Sequence, residues 1–162
     1  MAGPSEGRSI EIRVLDERIW QWGLPQYQSE LAGAVDLHAC LDAPVFVTAQ
    51  AAPILIGTGL AMLLGDADTA AMILPRSGAG HKRGLVLGNT VGLIDADYSA
   101  EIMISVWNRN PPGSAGIEIQ PGERIAQMIF VPVLRPSFTV VQQFSQATQR
   151  GGGGFGSTGT GA

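Results

Sequence analysis

Glycine and basic side chains are concentrated in one short segment, PRSGAGHKRG, from Pro75 to Gly84. The segment follows an apolar run, AAMIL, that has the composition of a strand. Glycines let backbone N–H groups approach an anion closely, and Arg76 and Ser77 add side-chain donors, so this composition is typical of a phosphate-binding loop. An ordinary basic loop between two strands has the same composition. From the residues alone, both interpretations stand.

Carboxylates are concentrated in a second segment, IDADYSAE, between two apolar runs. The pattern predicts a hairpin with the carboxylates at its tip. Asp95 follows Gly-Leu-Ile directly, so we expect it to be more desolvated than Asp97 and able to act as a general base for water. Tyr98 offers a flat apolar face beside it. Aspartate is also common in plain turns, and that alternative stays open.

Other familiar catalytic arrangements are missing from the sequence. It contains no G-x-S-x-G, no G-x-x-x-x-G-K-[ST] and no G-x-G-x-x-G that opens a helix. The two histidines, His38 and His81, are far apart in the sequence, and only His38 has a cysteine nearby, which is too few ligands for a zinc site. The single cysteine, Cys40, lies in an apolar alternating run, so we expect an inert thiol and a reducing, cytoplasmic setting.

The elements that must position these residues are short β-prone runs separated by glycine, proline, asparagine and aspartate. SIEIRVL, from Ser9 to Leu15, alternates cleanly and is typical of them. The pattern predicts an all-β sandwich or barrel, with one helical turn between Gly65 and Ala71. Two tryptophans in WQWG, Trp20 and Trp22, suggest packing against a neighbouring subunit or element. The β pattern ends near Gln149, so we expect one domain over 1–149 and a flexible glycine-rich arm over 150–162.

Composition excludes several classes of partner. The chain has 162 residues, a net charge of −4 and one lysine, Lys82, which argues against binding to nucleic acid backbones. Its apolar runs are shorter than a membrane span, and MAGPSEGRS has no apolar signal region, so we expect neither a membrane partner nor secretion. Charged residues are only 15% of the chain, which favours a surface partly buried against another subunit.

Five segments resemble, in order, the five motifs of the trimeric dUTPase (deoxyuridine 5′-triphosphate nucleotidohydrolase) family. They are AGAVDLHA (32–39), PRSGAG (75–80), GLIDADYSAEI (92–102), ERIAQMIF (123–130) and RGGGGFGSTG (150–159). The resemblance implies a jelly-roll-like β-barrel and a homotrimer with shared active sites. It also implies hydrolysis of dUTP to dUMP and pyrophosphate with Mg²⁺, which limits uracil incorporation into DNA and supplies dUMP for dTMP synthesis.

The resemblance also implies roles for single residues. Asp95 matches the carboxylate that activates water for attack at the α-phosphorus, and Tyr98 matches the ring that packs on the deoxyribose. Asp36 matches a carboxylate that reaches the metal through water, the ion being held mainly by the triphosphate. Uracil contacts are implied for Asn89 and for backbone groups of the third motif, at Leu93, Ile94 and Met103. Phosphate contacts are implied for Arg76, Ser77, Gly78 and Gln127.

The glycine-rich arm has a role in the same resemblance. Arg150 would approach the terminal phosphates and Phe155 would lie over the uracil ring, while the arm closes as a lid over the bound nucleotide. The other arm residues implied to contact substrate are Gly156, Ser157 and Thr158.

Two departures from the family pattern and two alternatives accompany this interpretation. Ala34 and Ala100 stand where the family usually has glycine, and alanine would be strained there if φ were positive.

A dCTP deaminase, or a bifunctional deaminase and dUTPase, is similar in fold and would use Glu101 as its proton carrier. The aromatic glycine-rich arm is typical of the hydrolases. A nucleotide-sensing interaction trimer is the alternative from another functional class.

Overall fold

The computed structural model describes residues 9–148 and Gly151, and short antiparallel strands make up most of its regular structure. The strands are β1 (Glu11–Val14), β2 (Val35–His38), β3 (Val45–Val47), β4 (Ile54–Leu63), β5 (Thr69–Pro75), β6 (Leu85–Leu87), β7 (Gly92–Ile94), β8 (Glu101–Asn108), β9 (Ile117–Ile119) and β10 (Arg124–Pro132).

The strands form two four-stranded sheets and one two-stranded ribbon. The first sheet has the order β1-β4-β8-β6, the second has the order β2-β10-β5-β7, and the ribbon pairs β3 with β9. Successive strands from β4 to β8 alternate between the two sheets, which is how a double-sheet jelly roll is built. The all-β, jelly-roll-like fold expected from the sequence is therefore confirmed.

The core lies between the two sheets, and β8 supplies it with alternate side chains. On β8, Ile102, Ile104 and Val106 are at most 1% exposed, and on β10 Ile125 and Met128 are at most 2% exposed. Full burial of one such side chain is worth about 1.5–3 kcal/mol. This packing fixes the sheets relative to each other and so fixes the loops at their edges.

The apolar runs around IDADYSAE do not form a hairpin, and that prediction is wrong. β7 pairs with β5 in the second sheet, whereas β8 pairs with β4 and β6 in the first. The segment from Gly92 to Met103, called the crossover segment below, therefore passes from one sheet to the other. An alternating pattern shows that a strand is half-buried, but it does not identify the partner strand.

The helical turn predicted between Gly65 and Ala71 is also wrong, because β5 already begins at Thr69. Helical geometry occurs instead in α1 (Ile19–Trp22) and in a π-helical turn (Ala79–Arg83), called the π-turn below. Within the described residues, no helix has the length and apolar character needed to cross a membrane.

The helix α1 places Trp22 against the turn that precedes β10. A Cβ atom added to Gly122 would lie 2.4 Å from Nε1 of Trp22, so the indole packs directly on the glycine backbone. Gly122 has φ +75°, in the left-handed region that favours glycine. The expectation that the WQWG tryptophans pack against a neighbouring element is confirmed for Trp22, whereas Trp20 is exposed.

We expect Gly122→Ala to destabilise the fold by about 2–4 kcal/mol, because it adds a collision with the indole to the strain of a left-handed φ. Gly113→Ala is the matched control: Gly113 has φ +82° but no atom within 4 Å of an added Cβ. It should cost only about 1–2 kcal/mol. Chemical denaturation measures both values, and equal losses would show that Trp22 moves aside freely.

Candidate active site

One buried carboxylate joins two arginines on the second sheet. Oδ1 of Asp36 accepts a hydrogen bond from Nε of Arg76 at 2.7 Å, and Oδ2 accepts one from Nη1 of Arg124 at 3.1 Å. Asp36 lies within β2, Arg76 directly follows β5, and Arg124 begins β10. With two positive charges and one negative charge, the cluster favours an anionic ligand.

The pairing of β2 with β10 places Gln127 directly opposite Asp36. The side-chain amide of Gln127 donates to the carbonyl oxygen of Pro75 at 3.0 Å, so it ties β10 to the end of β5. A surface cavity of about 600 Å³ opens over these groups. The polar side chains that line it are those of Gln28, Asp36, Arg76, Ser77, Arg124 and Gln127.

The loop after β5 leads from the sheet into the π-turn. The Gly80 N–H donates to the carbonyl oxygen of Arg76 at 2.9 Å and closes the first turn of this loop. Ser77 and Gly78 are exposed at the cavity. Because Gly78 has no side chain, the loop backbone is open to a ligand at this point.

Side chains of Arg109 and Asn110, together with Arg83 of the π-turn itself, hold the π-turn in place. Nε and Nη2 of Arg109 donate to the carbonyl oxygen of Gly80 at 3.3 and 3.1 Å. Nδ2 of Asn110 donates to the carbonyl oxygen of Arg83 at 2.8 Å, and Nη2 of Arg83 donates to that of Glu118 at 2.7 Å. These bonds fix a glycine-rich loop that has little intrinsic rigidity.

His38 lies next to the cluster but adds no charge to it. It is half-buried and is opposite Arg124 in the pairing of β2 with β10. Burial lowers the pKa of His38, and the nearby charge of Asp36 opposes that shift. The imidazole is therefore neutral at pH 7, and the charge of the cavity comes from the arginines.

The described residues do not form a protein-only metal site. Within residues 9–148 and Gly151, no three His, Cys, Asp or Glu side chains come close enough together to hold a metal ion. Both oxygens of Asp36 are hydrogen-bonded to guanidinium groups. Such a carboxylate fits a water-mediated contact to Mg²⁺, which commonly keeps several waters when it binds phosphates.

The crossover segment carries the second set of candidate residues. The Tyr98 N–H donates to the carbonyl oxygen of Asp95 at 3.1 Å, and the Tyr98 hydroxyl donates to that of Glu101 at 2.7 Å. These two bonds fix both ends of the tyrosine in the turn. Asp95 is exposed and borders a cavity of about 660 Å³.

The residues expected to contact uracil differ in exposure. Asn89 is exposed in the turn between β6 and β7, and Leu93 and Met103 present apolar side chains at 62% and 38% exposure. Ile94 is buried in the core, so only its backbone is available to a ligand. Among these residues, Leu93 and Met103 therefore have the apolar side chains that are exposed to solvent.

The two sets of residues lie at opposite ends of β5. Ala71 pairs with Ile94, so Asp95 is level with Ala70, and Arg76 is six residues further along the strand. At about 3.3 Å per residue, this separates Asp95 from Arg76 by about 20 Å. One copy of the chain therefore does not bring Asp95 to the Asp36 cluster.

Glu101 has a structural partner within the chain. Its Oε1 accepts a hydrogen bond from the Gly59 N–H at 2.8 Å, where the pairing of β4 with β8 is irregular.

The two alanines that replace family glycines are not strained: among the described non-glycine residues, only Gln50 and Thr90 have positive φ. Ala34 and Ala100 therefore have ordinary backbone geometry.

The sequence interpretation missed Arg124, which completes the Asp36 cluster. Arg124 and Gln127 are three residues apart, and strict strand alternation would place them on opposite faces of the sheet. The register of β10 against β2 shifts between Arg124 and Ala126, and Ile125 and Ala126 are both buried. This extra residue turns Arg124 to the same side as Gln127. Nothing in the sequence marks such a shift.

The predicted contacts from the arm lie outside the described residues. The same holds for the domain boundary at 149, which stays a prediction. The arm residues concerned are Arg150, Phe155, Gly156, Ser157 and Thr158.

In a comparison with protein families, the dUTPase family model matches residues 21–159 of this chain. A similar curated protein is the deoxyuridine 5′-triphosphate nucleotidohydrolase of Cronobacter sakazakii. It is 51% identical over 153 residues, which cover 94% of this chain and 97% of the relative.

Solved structures with a similar fold come from staphylococcal phages. A mutant dUTPase of Staphylococcus bacteriophage 80alpha with dUpNHpp aligns with a TM-score of 0.80 at 22% identity, covering 94% of this chain and 99% of that chain. A mutant dUTPase from phage phi11 of S. aureus, described for the coordination of a structural Mg(II) ion, aligns with a TM-score of 0.73 at 20% identity. It covers 85% of this chain and 99% of that chain. At these identities the likeness supports the fold.

Proposed function

The chain belongs to the dUTPase family, and we propose that it hydrolyses dUTP in active sites shared between the subunits of a homotrimer. The observation that carries the shared site is the separation of Asp95 from Arg76 by about 20 Å along one strand. A triphosphate that contacts both residues must lie between two copies of the chain. The low proportion of charged residues, 15%, is consistent with such an assembly.

One subunit would bind the phosphates at the Asp36 cluster. Arg76 and Arg124 supply positive charge there, while Ser77, Gly78 and Gln127 add polar groups around the cavity. Asp36 would contact Mg²⁺ through water, the ion being held mainly by the triphosphate. When bound, Mg²⁺ would supply Lewis-acid stabilisation of the charge that develops on the phosphate oxygens.

A second subunit would supply the base and the nucleoside contacts from its crossover segment. Asp95 would take a proton from a water molecule, whose oxygen forms a bond to the α-phosphorus as the bond from that phosphorus to the bridging oxygen breaks. Pyrophosphate leaves on that oxygen, and no covalent enzyme intermediate is needed. Tyr98, fixed by its two hydrogen bonds, would pack on the deoxyribose.

Uracil would lie against Asn89, Leu93 and Met103 and the backbone of Ile94. The arm of a third subunit would close over the nucleotide, with Phe155 on the base and Arg150 at the phosphates, and would exclude water. In the cell, hydrolysis would remove dUTP and so limit uracil incorporation into DNA, and it would supply dUMP for dTMP synthesis. We place the enzyme in the cytoplasm because its single cysteine suits a reducing compartment.

We expect pyrophosphate release from dUTP with Mg²⁺, and little from dTTP, dCTP or UTP, because the site reads both the base and the sugar. A pyrophosphate assay across the four nucleotides measures this selectivity. Ammonia release from dCTP would instead favour the deaminase alternative, in which Glu101 moves the proton. Equal rates on all four nucleotides would contradict a site that is selective for deoxyuridine.

We expect Asp95→Asn to lower kcat on dUTP about a hundredfold or more, while the nucleotide still binds, because a general base contributes about 10²–10⁴-fold. Stopped-flow turnover and equilibrium binding of a non-hydrolysable imido analogue of dUTP separate the two effects. Asp97→Asn is the matched control, because it removes an equal charge from the same exposed turn. Similar losses in both variants would show that the charge of the turn matters rather than a base at Asp95.

Mixed assemblies test whether the site is shared. Asp95→Asn and Arg76→Gln subunits are each expected to be nearly inactive alone, but their 1:1 co-assembly should regain about a quarter of wild-type activity. That fraction is the chance that a site combines an intact crossover segment from one subunit with an intact Arg76 from another. Two affinity tags isolate the mixed trimers, in which the expected activity rises to about a third because the inactive homotrimers are removed. If they stay as inactive as their parents, each site lies within one chain.

A further inference from the structure

The two oxygens of Asp36 are held by different arginines. Arg76 occupies Oδ1 at 2.7 Å and Arg124 occupies Oδ2 at 3.1 Å, so neither guanidinium competes with the other for an oxygen. The Asp36 side chain is 11% exposed, whereas those of Arg76 and Arg124 are 32% and 46% exposed. The carboxylate is therefore the fixed part of the cluster, and the arginines reach it from the solvent side.

Arg76 has two tasks if the cavity binds a triphosphate. Its Nε, the donor closest to Asp36, is bonded to Oδ1, and its Nη1 lies 3.4 Å from the carbonyl oxygen of Arg124. A guanidinium binds a phosphate best when it offers two parallel donors, and Nη1 and Nη2 can form such a pair while Nε stays on Asp36. The positive charge of Arg76 is then shared between two anions, which weakens its contact with Asp36.

A buried carboxylate that loses a guanidinium partner is destabilised unless a second partner remains. Arg124 provides that second partner, because it bonds the other oxygen of Asp36 from a different strand. The register shift in β10 is the feature that turns Arg124 to the face on which Asp36 and Gln127 lie. The second sheet is therefore built so that two arginines, on β10 and after β5, converge on one aspartate.

We propose that Arg124 is a positioning residue for Asp36. Its guanidinium holds Oδ2 and keeps the carboxylate in place while Arg76 shares its charge between Oδ1 and a phosphate. Oδ1 accepts one hydrogen bond from Nε of Arg76, so its remaining lone pair would order water around the cation bound to the phosphates. This inference rests on the proposed function, because it assigns a role within the same phosphate site.

A double-mutant cycle between Arg124 and Asp36 tests the proposal. The variants are Arg124→Gln, Asp36→Asn and the two combined, with Arg124→Lys as the conservative variant. Arg13→Gln is the matched control, because it removes one positive charge from an exposed position on β1. The measurement is the Kd of the imido analogue of dUTP, taken with Mg²⁺ and again with EDTA, together with kcat and KM for dUTP.

We expect Arg124→Gln to weaken analogue binding with Mg²⁺ about tenfold, the size of one charge-assisted hydrogen bond, and to weaken it much less in EDTA. Arg124→Lys should recover part of the loss, because a lysine ammonium can still donate to Oδ2. The double variant should be no weaker than the weaker single variant, because both changes disable the same carboxylate. Arg13→Gln should stay within about twofold of wild type, since exposed charges separated by more than a Debye length are largely screened.

Three results would overturn the proposal. Losses that multiply in the double variant would show that Arg124 binds the phosphates directly. If Arg124→Gln weakens analogue binding equally with Mg²⁺ and with EDTA, Arg124 does not act through the contact between Asp36 and the bound cation. Binding and kinetics unchanged from wild type in Arg124→Gln, with a lower melting temperature, would show a purely structural role.

The same measurements separate this inference from the proposed function. If the wild-type protein binds the analogue but releases no pyrophosphate from dUTP, the proposed function fails, and the coupling between Arg124 and Asp36 is still measured by binding. If the wild-type protein hydrolyses dUTP and the Arg124 and Asp36 substitutions have independent effects on binding, the inference about Arg124 fails and the proposed function stands.

Discussion

The distance that an extended strand advances per residue sets the separation between the two groups of candidate residues in this chain. β5 carries the phosphate-binding candidates at its end and pairs with β7, which delivers Asp95 near its beginning. Because a strand advances by about 3.3 Å per residue and does not bend back on itself, the two groups stay about 20 Å apart. Packing between the sheets then makes that separation rigid. Under the proposed function, the chain presents two half-sites at opposite ends of one strand, β5.

The phosphate half-site is held by a layered set of polar contacts. Asp36 is the innermost group, and the arginines that converge on it come from elements that are distant in sequence. Around the loop, Arg109 and Asn110 fix backbone carbonyl oxygens of the π-turn. A glycine-rich loop gains access to an anion at the expense of rigidity, and these outer contacts restore the rigidity without filling the space in front of the loop.

Much of this site was accessible from sequence, and the failures have physical causes. Alternation correctly predicted an all-β fold, and the clustering of glycine with arginine and serine located the loop after β5. Arg124 was missed because its direction depends on a register shift, which has no signature in residue types. The hairpin around Asp95 was wrong because strand patterns record burial and not pairing. Both depend on long-range contacts that a local pattern does not contain.

The packing of Trp22 on Gly122 makes the indole an optical reporter. Trp22 also borders a small cavity of about 200 Å³ together with Asp36, His38 and Arg124. The emission of an indole depends on the polarity and the charges around it, so changes in the arginine cluster should alter the fluorescence of Trp22. With Trp20 in solvent and Trp107 at an intermediate depth, the three tryptophans span distinct environments. The fold therefore carries its own spectroscopic label beside Asp36 and Arg124.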